Sequence, residues 1–283
     1  MHALPFLLAL ASAMILAPPL LRGLSTAGHT KLNYRDRPLP HPFGVLVLGA
    51  ALIALIPLTL LGRLVGAEVF HPELLPIAVY VLGVAALGLI DDTLAEVRPG
   101  VHGRPAQRGW RGHGAAALRG ELSTGALKAA GSLGLALFAL DDLGLSEGRW
   151  LLAAAVLVLA TNVFNLLDLR PGRSVKAFVL LGAGLGIGSA DARPLWALGL
   201  FAAPALVAGV YDLRERAMLG DTGANLLGAL AGLWLVLALS ATGQLVALAL
   251  LILVTAYGEL RSISALVERT PGLRELDSWG RPR

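Results

Sequence analysis

Long runs of uncharged apolar residues alternate along the chain with short polar segments. Four of these runs, Leu4 to Leu21, Phe43 to Leu61, Leu74 to Ile90 and Ala224 to Ala241, approach the roughly 20 residues that an α-helix needs to cross a bilayer. None of them shows the strict apolar–polar alternation of a membrane β-strand. Because lipid offers no hydrogen-bond partner to the backbone, the pattern predicts spanning helices.

The apolar runs predict about nine transmembrane helices in one domain that covers residues 1–283. The fold class is therefore all-α, a polytopic helical bundle integral to the membrane. Three of the predicted helices are short for a full span. The predicted bounds are 3–21, 43–62, 74–90, 126–140, 150–167, 176–190, 194–210, 223–241 and 244–260.

Composition supports lipid as the solvent for most of the chain. Hydrophobic residues make up 56% of the 283 residues, charged residues only 15%, and the sequence contains no cysteine. This is not the mix of a soluble domain, and the missing cysteines exclude disulfides and thiolate metal sites. The net charge of +4 does not indicate a nucleic-acid partner, because the basic residues are distributed as a membrane topology would place them.

Lys and Arg residues concentrate on one predicted side of the membrane. Of the 23 basic residues, only Arg63, Arg149 and Arg193 lie in segments on the other side. Because basic loops stay in the cytoplasm, the N-terminus is predicted outside and the C-terminus inside. The predicted cytoplasmic segments lie near 22–42, 91–125, 168–176 and 211–221, with a C-terminal tail over 261–283.

Two carboxylates, Asp91 and Asp92, directly follow the apolar run that ends at Ile90. Ionisable groups at the end of a membrane-spanning helix are energetically costly without a partner, and they often mark a functional site. A solvated helix end is the structural alternative. Asp141 and Asp142 border an apolar run in the same way on the opposite side, so the pair alone does not establish a site.

Asn162, Asn165 and Asp168 recur at a spacing of three at the end of the predicted helix 150–167. This spacing places them on one helical face. Two carboxamides and a carboxylate there suit a polar ligand at the interface. A polar seam between helices is the alternative.

Asp221 stands at the start of the predicted helix 223–241, again on the side predicted to be cytoplasmic. An aspartate before Thr222 and Gly223 would make a good N-cap, and capping does not exclude a role as a metal ligand. Both interpretations stay open.

Two other patterns favour structural explanations. Glycines recur at every second position from Gly182 to Gly188 inside an apolar run, and no strand precedes them as a nucleotide-binding loop would require. They predict close helix packing. His113 lies in the long 91–125 segment, where a lone histidine is usually solvated.

The acidic and amide clusters all fall on the side predicted to be cytoplasmic. Carboxylates converging at a lipid interface beside Lys128, Arg170, Arg173 and Lys176 suit a hydrated Mg²⁺ and phosphate groups. The sequence therefore indicates phosphate chemistry on a membrane substrate.

These residues resemble the polyprenyl-phosphate N-acetylhexosamine-1-phosphate transferases, a family that includes the phospho-N-acetylmuramoyl-pentapeptide transferases of peptidoglycan synthesis. Gly88 to Asp92 resembles the family's aspartate pair, Asn162 to Asp168 its Asn-x-x-Asn-x-x-Asp motif, and Met218 to Gly223 its Phe-Met-Gly-Asp signature. Lys128 resembles the lysine that follows the aspartate pair. The order of these motifs and their side of the membrane also agree with the family.

The resemblance implies a phosphoglycosyl transferase with Mg²⁺ as its cofactor. It would move a sugar-1-phosphate from a UDP-sugar to a polyprenyl phosphate, such as undecaprenyl phosphate, at the cytoplasmic face of a prokaryotic plasma membrane, for cell-wall biogenesis. A homodimer is a candidate assembly. By the resemblance, Asp91 and Asp92 are catalytic, Asp221 holds the metal, and the substrate-binding residues are Lys128, Asn162, Asn165 and Asp168.

Parts of the family pattern are absent. Asp168 is followed by Leu-Arg-Pro-Gly, so Pro171 replaces a second aspartate, and the last segment, 261–283, has no histidine where the family has a histidine-rich motif. A catalytically inactive relative that binds polyprenyl phosphate or takes part in envelope assembly is therefore the alternative. A transporter would need ionisable groups near mid-membrane, whereas these motifs lie at helix ends.

Overall fold

The computed structural model describes residues 2–96 and 124–282. These residues form a helical bundle with a small β-hairpin, and a short 3₁₀ turn at Asp141–Leu143. In chain order the helices are α1 (Leu4–Thr26), α2 (Val45–Val65), α3 (Leu74–Glu96), α4 (Thr124–Leu140), α5 (Glu147–Leu167), α6 (Arg173–Ser189), α7 (Arg193–Ala197), α8 (Gly199–Leu213), α9 (Gly220–Ala238), α10 (Ala241–Leu260), α11 (Ile263–Arg269) and α12 (Leu273–Ser278).

Six helices within the described ranges are long and apolar enough to cross a membrane, namely α1, α2, α3, α5, α9 and α10. Helices α4 and α8 are apolar but shorter. The all-helical class is confirmed, and these helices fit a membrane-embedded protein. Each of the nine predicted segments contains helix.

One predicted helix, 194–210, is interrupted at Leu198, which separates α7 from α8. Gly199 at this break lies against Phe6 of α1, where an added Cβ would come within 2.9 Å of the Phe6 Cβ atom. The missing side chain of Gly199 therefore lets the start of α8 pack closely on α1.

Two helices extend beyond their predicted ends. Helix α1 continues through Pro18 and Pro19 to Thr26, and α3 continues to Glu96. Asp91 and Asp92 are therefore helical, and the first residues of two predicted loops, 22–42 and 91–125, belong to helices. The rest of the second loop, including His102 and His113, lies outside the described residues.

The β-hairpin was not predicted. Strands β1 (Thr30–Leu32) and β2 (Pro38–Pro40) pair antiparallel, with Lys31 opposite Leu39. The turn between them is organised by Asn33, whose Oδ1 accepts the backbone N–H groups of Arg35 and Arg37 at 2.8 and 3.0 Å. Such Asx turns compete with helix locally, which explains this exception to the all-helical pattern.

Helix α9 forms the centre of the bundle. Within its apolar stretch, 78% of the residues are buried, against 11% in α10. It packs mainly against α5 and α3, with α6 and α8 also in contact. Alanine and glycine allow these backbones to approach closely. Because Asp221 is in the first turn of α9, the packing of α9 also fixes the position of that carboxylate.

The predicted packing role of the glycine run holds for Gly182 but not for the rest. An added Cβ on Gly182 would lie 2.6 Å from the Trp234 ring. Around Gly184, Gly186 and Gly188 nothing lies within 4 Å. Residues two positions apart on a helix point in different directions, so only one of the four glycines faces α9.

Candidate functional site

The candidate site forms where the ends of α3, α4, α5 and α9 meet. Helices α3 and α9 touch at Gly88, where an added Cβ would lie 2.5 Å from the Asp221 carbonyl oxygen and 2.7 Å from the Thr222 nitrogen. The missing side chain lets the two helices meet backbone to backbone. This contact places Asp91 and Asp92, one turn further along α3, beside the start of α9.

Lys128 joins two of the aspartates from a third helix. Its Nζ donates to Asp91 Oδ2 at 2.6 Å and also to Asp221 Oδ2. All three side chains are partly exposed, at 20% for Lys128, 18% for Asp91 and 30% for Asp221. Three residues that are distant in sequence thus form one cluster that is open to a ligand.

Asp92 has a different environment from Asp91. It is buried, with 4% of its surface exposed. Its Oδ1 accepts the backbone N–H of Asp221 at 2.9 Å, and its Oδ2 accepts the N–H of Thr222 at 2.8 Å and the Thr222 hydroxyl at 2.7 Å. The first N–H groups of a helix lack partners within it and carry partial positive charge. Asp92 therefore caps α9 from a neighbouring helix.

The tight approach of Asp92 depends on Gly220. This residue has a φ of +71°, and an added Cβ would lie 2.7 Å from Asp92 Oδ2 and 2.8 Å from His41 Nε2. Both the conformation and the space favour glycine. The N-cap position belongs to Leu219, which makes no side-chain cap bond, so the N-cap interpretation of Asp221 was wrong.

His41 is a member of the cluster that sequence reasoning missed. It is buried, at 1% exposure, and its Nε2 lies 3.3 Å from Asp92 Oδ1. The signal for it was weak, because His41 lies between two prolines in a segment without helical periodicity. Only the folding of the β2–α2 connection against α9 brings it to Asp92.

The carboxamide motif on α5 divides between two partners. Asn165 faces the cluster, where its Nδ2 is 3.3 Å from Asp221 Oδ2 and 3.0 Å from Asn225 Oδ1. Asn162 donates instead to Thr255 Oγ1 of α10 at 3.3 Å. The prediction of a polar site therefore agrees with the placement of Asn165, whereas Asn162 forms the seam between helices that was the alternative.

Asp168 follows the last residue of α5, at the edge of the cluster. Its Oδ1 accepts a hydrogen bond from Ser174 Oγ. Burial, and next the charge of Asp212, raises the pKa of Asp168 well above its ordinary value. The charges of Asp221 and Asp92 act in the same direction, so Asp168 belongs to the same electrostatic unit.

Asp212 is a second residue that the sequence analysis missed. It is buried, at 4% exposure, and its Oδ2 accepts the backbone N–H of Gly172 at 2.6 Å. It lies near the end of an apolar helix, as Asp91 does, and this was the only sequence signal. Its contact holds the turn between α5 and α6 that carries Asp168.

Pro171, which stands where the transferase family usually has an aspartate, is part of a protein contact. Its carbonyl oxygen accepts a hydrogen bond from Arg281 Nε at 2.7 Å. The turn between α5 and α6 is thus tied to the C-terminal residues of this chain.

The donor groups of the cluster fit a magnesium ion. Mg²⁺ is usually bound by one or two protein carboxylates, with water and substrate phosphates as its other ligands. Asp91 and Asp221 supply two carboxylates, and the Lys128 ammonium between them shows that they accept a cation there. Among residues 2–96 and 124–282, no group of three or more His, Asp or Glu side chains is placed so that it could hold a metal ion, so an ion held by Asp91 and Asp221 would take its other ligands from water and substrate.

Compared with protein-family models and with curated proteins, the sequence gives no match.

Proposed function

We propose that this chain is a Mg²⁺-dependent phosphoglycosyl transferase that moves a sugar-1-phosphate from a UDP-sugar to a polyprenyl phosphate. The observation that carries the proposal is the contact of Lys128 with both Asp91 and Asp221. It joins three of the motifs on which the family resemblance depends. It brings together carboxylates of the kind that hold Mg²⁺ and an ammonium group of the kind that binds phosphate.

The excess of negative charge supports a cation requirement. Asp91, Asp92, Asp168 and Asp221 form one electrostatic unit, and Lys128 is the lysine that contacts it. A phosphate would be repelled from such a site without further positive charge. Mg²⁺ held by Asp91 and Asp221 would neutralise phosphate charge and polarise the reacting phosphoryl group.

The proposed reaction is a displacement at phosphorus. A phosphate oxygen of the lipid forms a bond to the phosphorus that carries the sugar, and the bond from that phosphorus to the oxygen of UMP breaks. The products are a polyprenyl diphosphate sugar and UMP. Positioning and electrostatic stabilisation supply most of the catalysis in such transfers, which is what a preorganised set of charges provides.

The residues divide into distinct roles in this proposal. Asp91 is the partly exposed carboxylate that orients the lipid phosphate and takes any proton it carries. Asp92 is a positioning residue, because its oxygens are engaged by α9. Lys128 turns from the carboxylates to substrate phosphate, and Asn165 and Asp168 contact the nucleotide-sugar. Asn162 supports α5 through Thr255.

The proposal also includes the topology and location. The N-terminus is outside and the C-terminus inside, which places the cluster at the cytoplasmic face of a prokaryotic plasma membrane, in a pathway of cell-envelope glycan synthesis. The six apolar helices support a membrane location. The uneven distribution of basic residues supports the orientation.

The test uses purified protein in detergent with Mg²⁺, undecaprenyl phosphate and a panel of UDP-sugars. UMP release is followed together with formation of the lipid-linked sugar. We expect equal amounts of the two products from one donor, and no product without lipid or without Mg²⁺. Lipid binding without UMP release from any donor would favour the alternative, an inactive relative, for which the coverage of Pro171 by Arg281 is the supporting contact.

A further inference from the structure

The C-terminal segment, defined here as residues 261–282, begins where a candidate membrane span ends. Helix α10 is one of the six apolar helices of spanning length and ends at Leu260. The Leu260 side chain is 79% exposed. Because Arg261 follows at once, the segment starts at the level where α10 would leave the hydrocarbon core.

One side of the C-terminal segment is fixed to the bundle. The Arg173 guanidinium donates to both carboxylate oxygens of Asp277, at 2.8 and 3.1 Å, and to Ser264 Oγ at 3.1 Å. Arg281 donates to the same carboxylate at 2.8 and 3.1 Å. Bidentate contacts of this kind define orientation as well as position, so α11 and α12 have fixed outward surfaces.

Helix α12 is amphipathic, and the direction in which Asp277 points divides its apolar side from its polar side. At about 100° per residue, its large apolar residues fall to one side of that direction and its polar residues to the other. The apolar side consists of Leu273, Leu276 and Trp279, which are 43%, 40% and 73% exposed. The polar side consists of Arg274, Glu275 and Ser278, all exposed.

Helix α11 exposes an apolar residue beside a basic one. Ile263 is buried against the bundle, whereas Leu266 is 40% exposed. By the same angular count, Arg269 lies on the side of Leu266. Arg261 and Arg269 are exposed, and neither forms an ion pair with a described residue.

We propose that the C-terminal segment lies in the membrane interface and binds anionic lipid headgroups. Leu266, Leu273, Leu276 and Trp279 would enter the boundary between headgroups and acyl chains, where amphipathic helices and tryptophan are stabilised. The apolar stems of Arg261 and Arg269 would lie against the acyl-chain boundary, and their guanidinium groups would reach the lipid phosphates. Lipid is the occupant favoured over a protein partner, because the segment is continuous with α10 at the level of the membrane surface.

The same anchoring would connect the membrane surface to the candidate site. Arg281 of the segment holds the Pro171 carbonyl, and Lys176 donates to the carbonyl oxygens of Leu276 and Trp279 at 2.9 and 3.0 Å. These contacts lie in the α5–α6 turn that follows Asp168 and in the first turn of α6. The interfacial position does not depend on catalytic activity, so its test is independent of the proposed function.

The experiment uses the full chain, which has no cysteine. Leu276→Cys and Ser278→Cys provide single labelling sites on opposite sides of α12. Each variant is labelled with a fluorophore and placed in nanodiscs that contain phosphatidylglycerol, with quencher groups on the lipid acyl chains near the headgroup. We expect lipid quenching to be several-fold stronger at Leu276→Cys, and quenching by iodide in solution to be stronger at Ser278→Cys.

Two further variants complete the test. Leu273→Cys, on the apolar side, is expected to behave like Leu276→Cys, which guards against a local effect of one substitution. In nanodiscs of phosphatidylcholine alone, or with Arg261→Gln and Arg269→Gln combined, we expect lipid quenching at Leu276→Cys to fall by half or more. Equal quenching at the two sides of α12 would overturn the interfacial position, and no dependence on lipid charge or on the arginines would overturn the headgroup contact.

Discussion

Asp91 and Asp92 are adjacent in sequence, yet their carboxylates have different surroundings. Asp92 is buried on the N–H groups of α9, whereas Asp91 is partly exposed and shares Lys128 with Asp221. Consecutive residues on a helix point about 100° apart, so one faces the neighbouring helix and the other the open side of the cluster. A paired-aspartate motif therefore combines a residue that positions α9 with one that is available to a ligand.

Replacing Lys128 tests whether the two carboxylates share a cation position. Lys128→Gln leaves Asp91 and Asp221 without their common cation, and we expect a loss of about 1–2 kcal/mol in the free energy of unfolding, because the pair is only partly buried. Added Mg²⁺ should then raise the melting temperature of the variant more than that of the wild type. Thermal unfolding in detergent with increasing Mg²⁺ measures both effects.

The matched control for this substitution is Lys31→Gln, on the exposed strand β1. It should leave the response to Mg²⁺ unchanged. An equal shift of the melting temperature by Mg²⁺ in wild type and Lys128→Gln would show that Lys128 and the metal do not compete for the same carboxylates.

Asp168 gives a prediction for pH dependence. Its raised pKa means that the folded state disfavours the ionised carboxyl, so stability falls as pH rises from the ordinary aspartate range through the raised value. Asp168→Asn removes this loss. We expect the variant to melt above the wild type at pH 8, with the difference shrinking toward pH 4.

Asp191→Asn serves as the comparison, since this partly exposed residue has its pKa lowered by hydrogen bonds from Arg193. It should show no gain in stability between pH 4 and pH 8. If Asp168→Asn melted at the same temperature as the wild type across this range, the account of Asp168 as a buried, charge-coupled carboxyl would be wrong.

At the scale of elements, the contact between α3 and α9 sets the geometry of the cluster. Gly88→Ala would push a Cβ to 2.5 Å from the Asp221 carbonyl oxygen, and the two backbones would have to separate. Overpacking of this kind costs about 1–3 kcal/mol. We expect a lower melting temperature and loss of transfer, because Asp221 would move away from Asp91.

Gly184→Ala on α6 is the control, because nothing lies within 4 Å of that position. Alanine there should be neutral or stabilising by up to about 1 kcal/mol through helix propensity. Similar melting temperatures for the two variants would contradict close packing at Gly88.

The apolar helices α1 to α10 were predictable from the sequence, whereas helix ends, the hairpin and the two short helices of the predicted tail, α11 and α12, were not. Uncharged apolar runs located the first ten helices, since the hydrophobic pattern is the dominant local signal. The break at Leu198 and the passage of α1 through Pro18 and Pro19 leave no trace in the apolar pattern. The Asn33 turn is local, but a count of apolar residues does not detect a side-chain hydrogen bond to the backbone.

Within the cluster, several motif residues lie together, whereas their individual partners could not be read from the sequence. The placement of Asp91, Asp92, Lys128, Asn165 and Asp221 together agrees with the motif prediction. His41 and Asp212 lie outside any motif, and their proximity follows from how the β2–α2 connection and α8 fold against α9. The different directions of Asn162 and Asn165 likewise depend on which helices flank α5.

At the scale of the whole molecule, the orientation in the membrane stays a prediction that cysteine labelling can test. Ser146→Cys and Lys31→Cys lie in segments predicted outside and inside, respectively. In intact bacterial cells, a membrane-impermeant maleimide should label Ser146→Cys and leave Lys31→Cys unlabelled until the cells are opened. Labelling of Lys31→Cys in intact cells would reverse the orientation and place the cluster outside.

A comparison of two aspartates in the UMP-release assay decides whether the Asp91–Lys128–Asp221 cluster is the active site. Asp221→Asn keeps the size of the side chain but removes charge from the carboxylate that contacts Lys128, and Asp141→Asn does the same to an exposed aspartate outside the cluster. We predict that UMP release requiring lipid and Mg²⁺ falls at least about 100-fold in Asp221→Asn and stays at the wild-type rate in Asp141→Asn. Wild-type release by both variants would contradict the assignment of the Asp91–Lys128–Asp221 cluster as the active site.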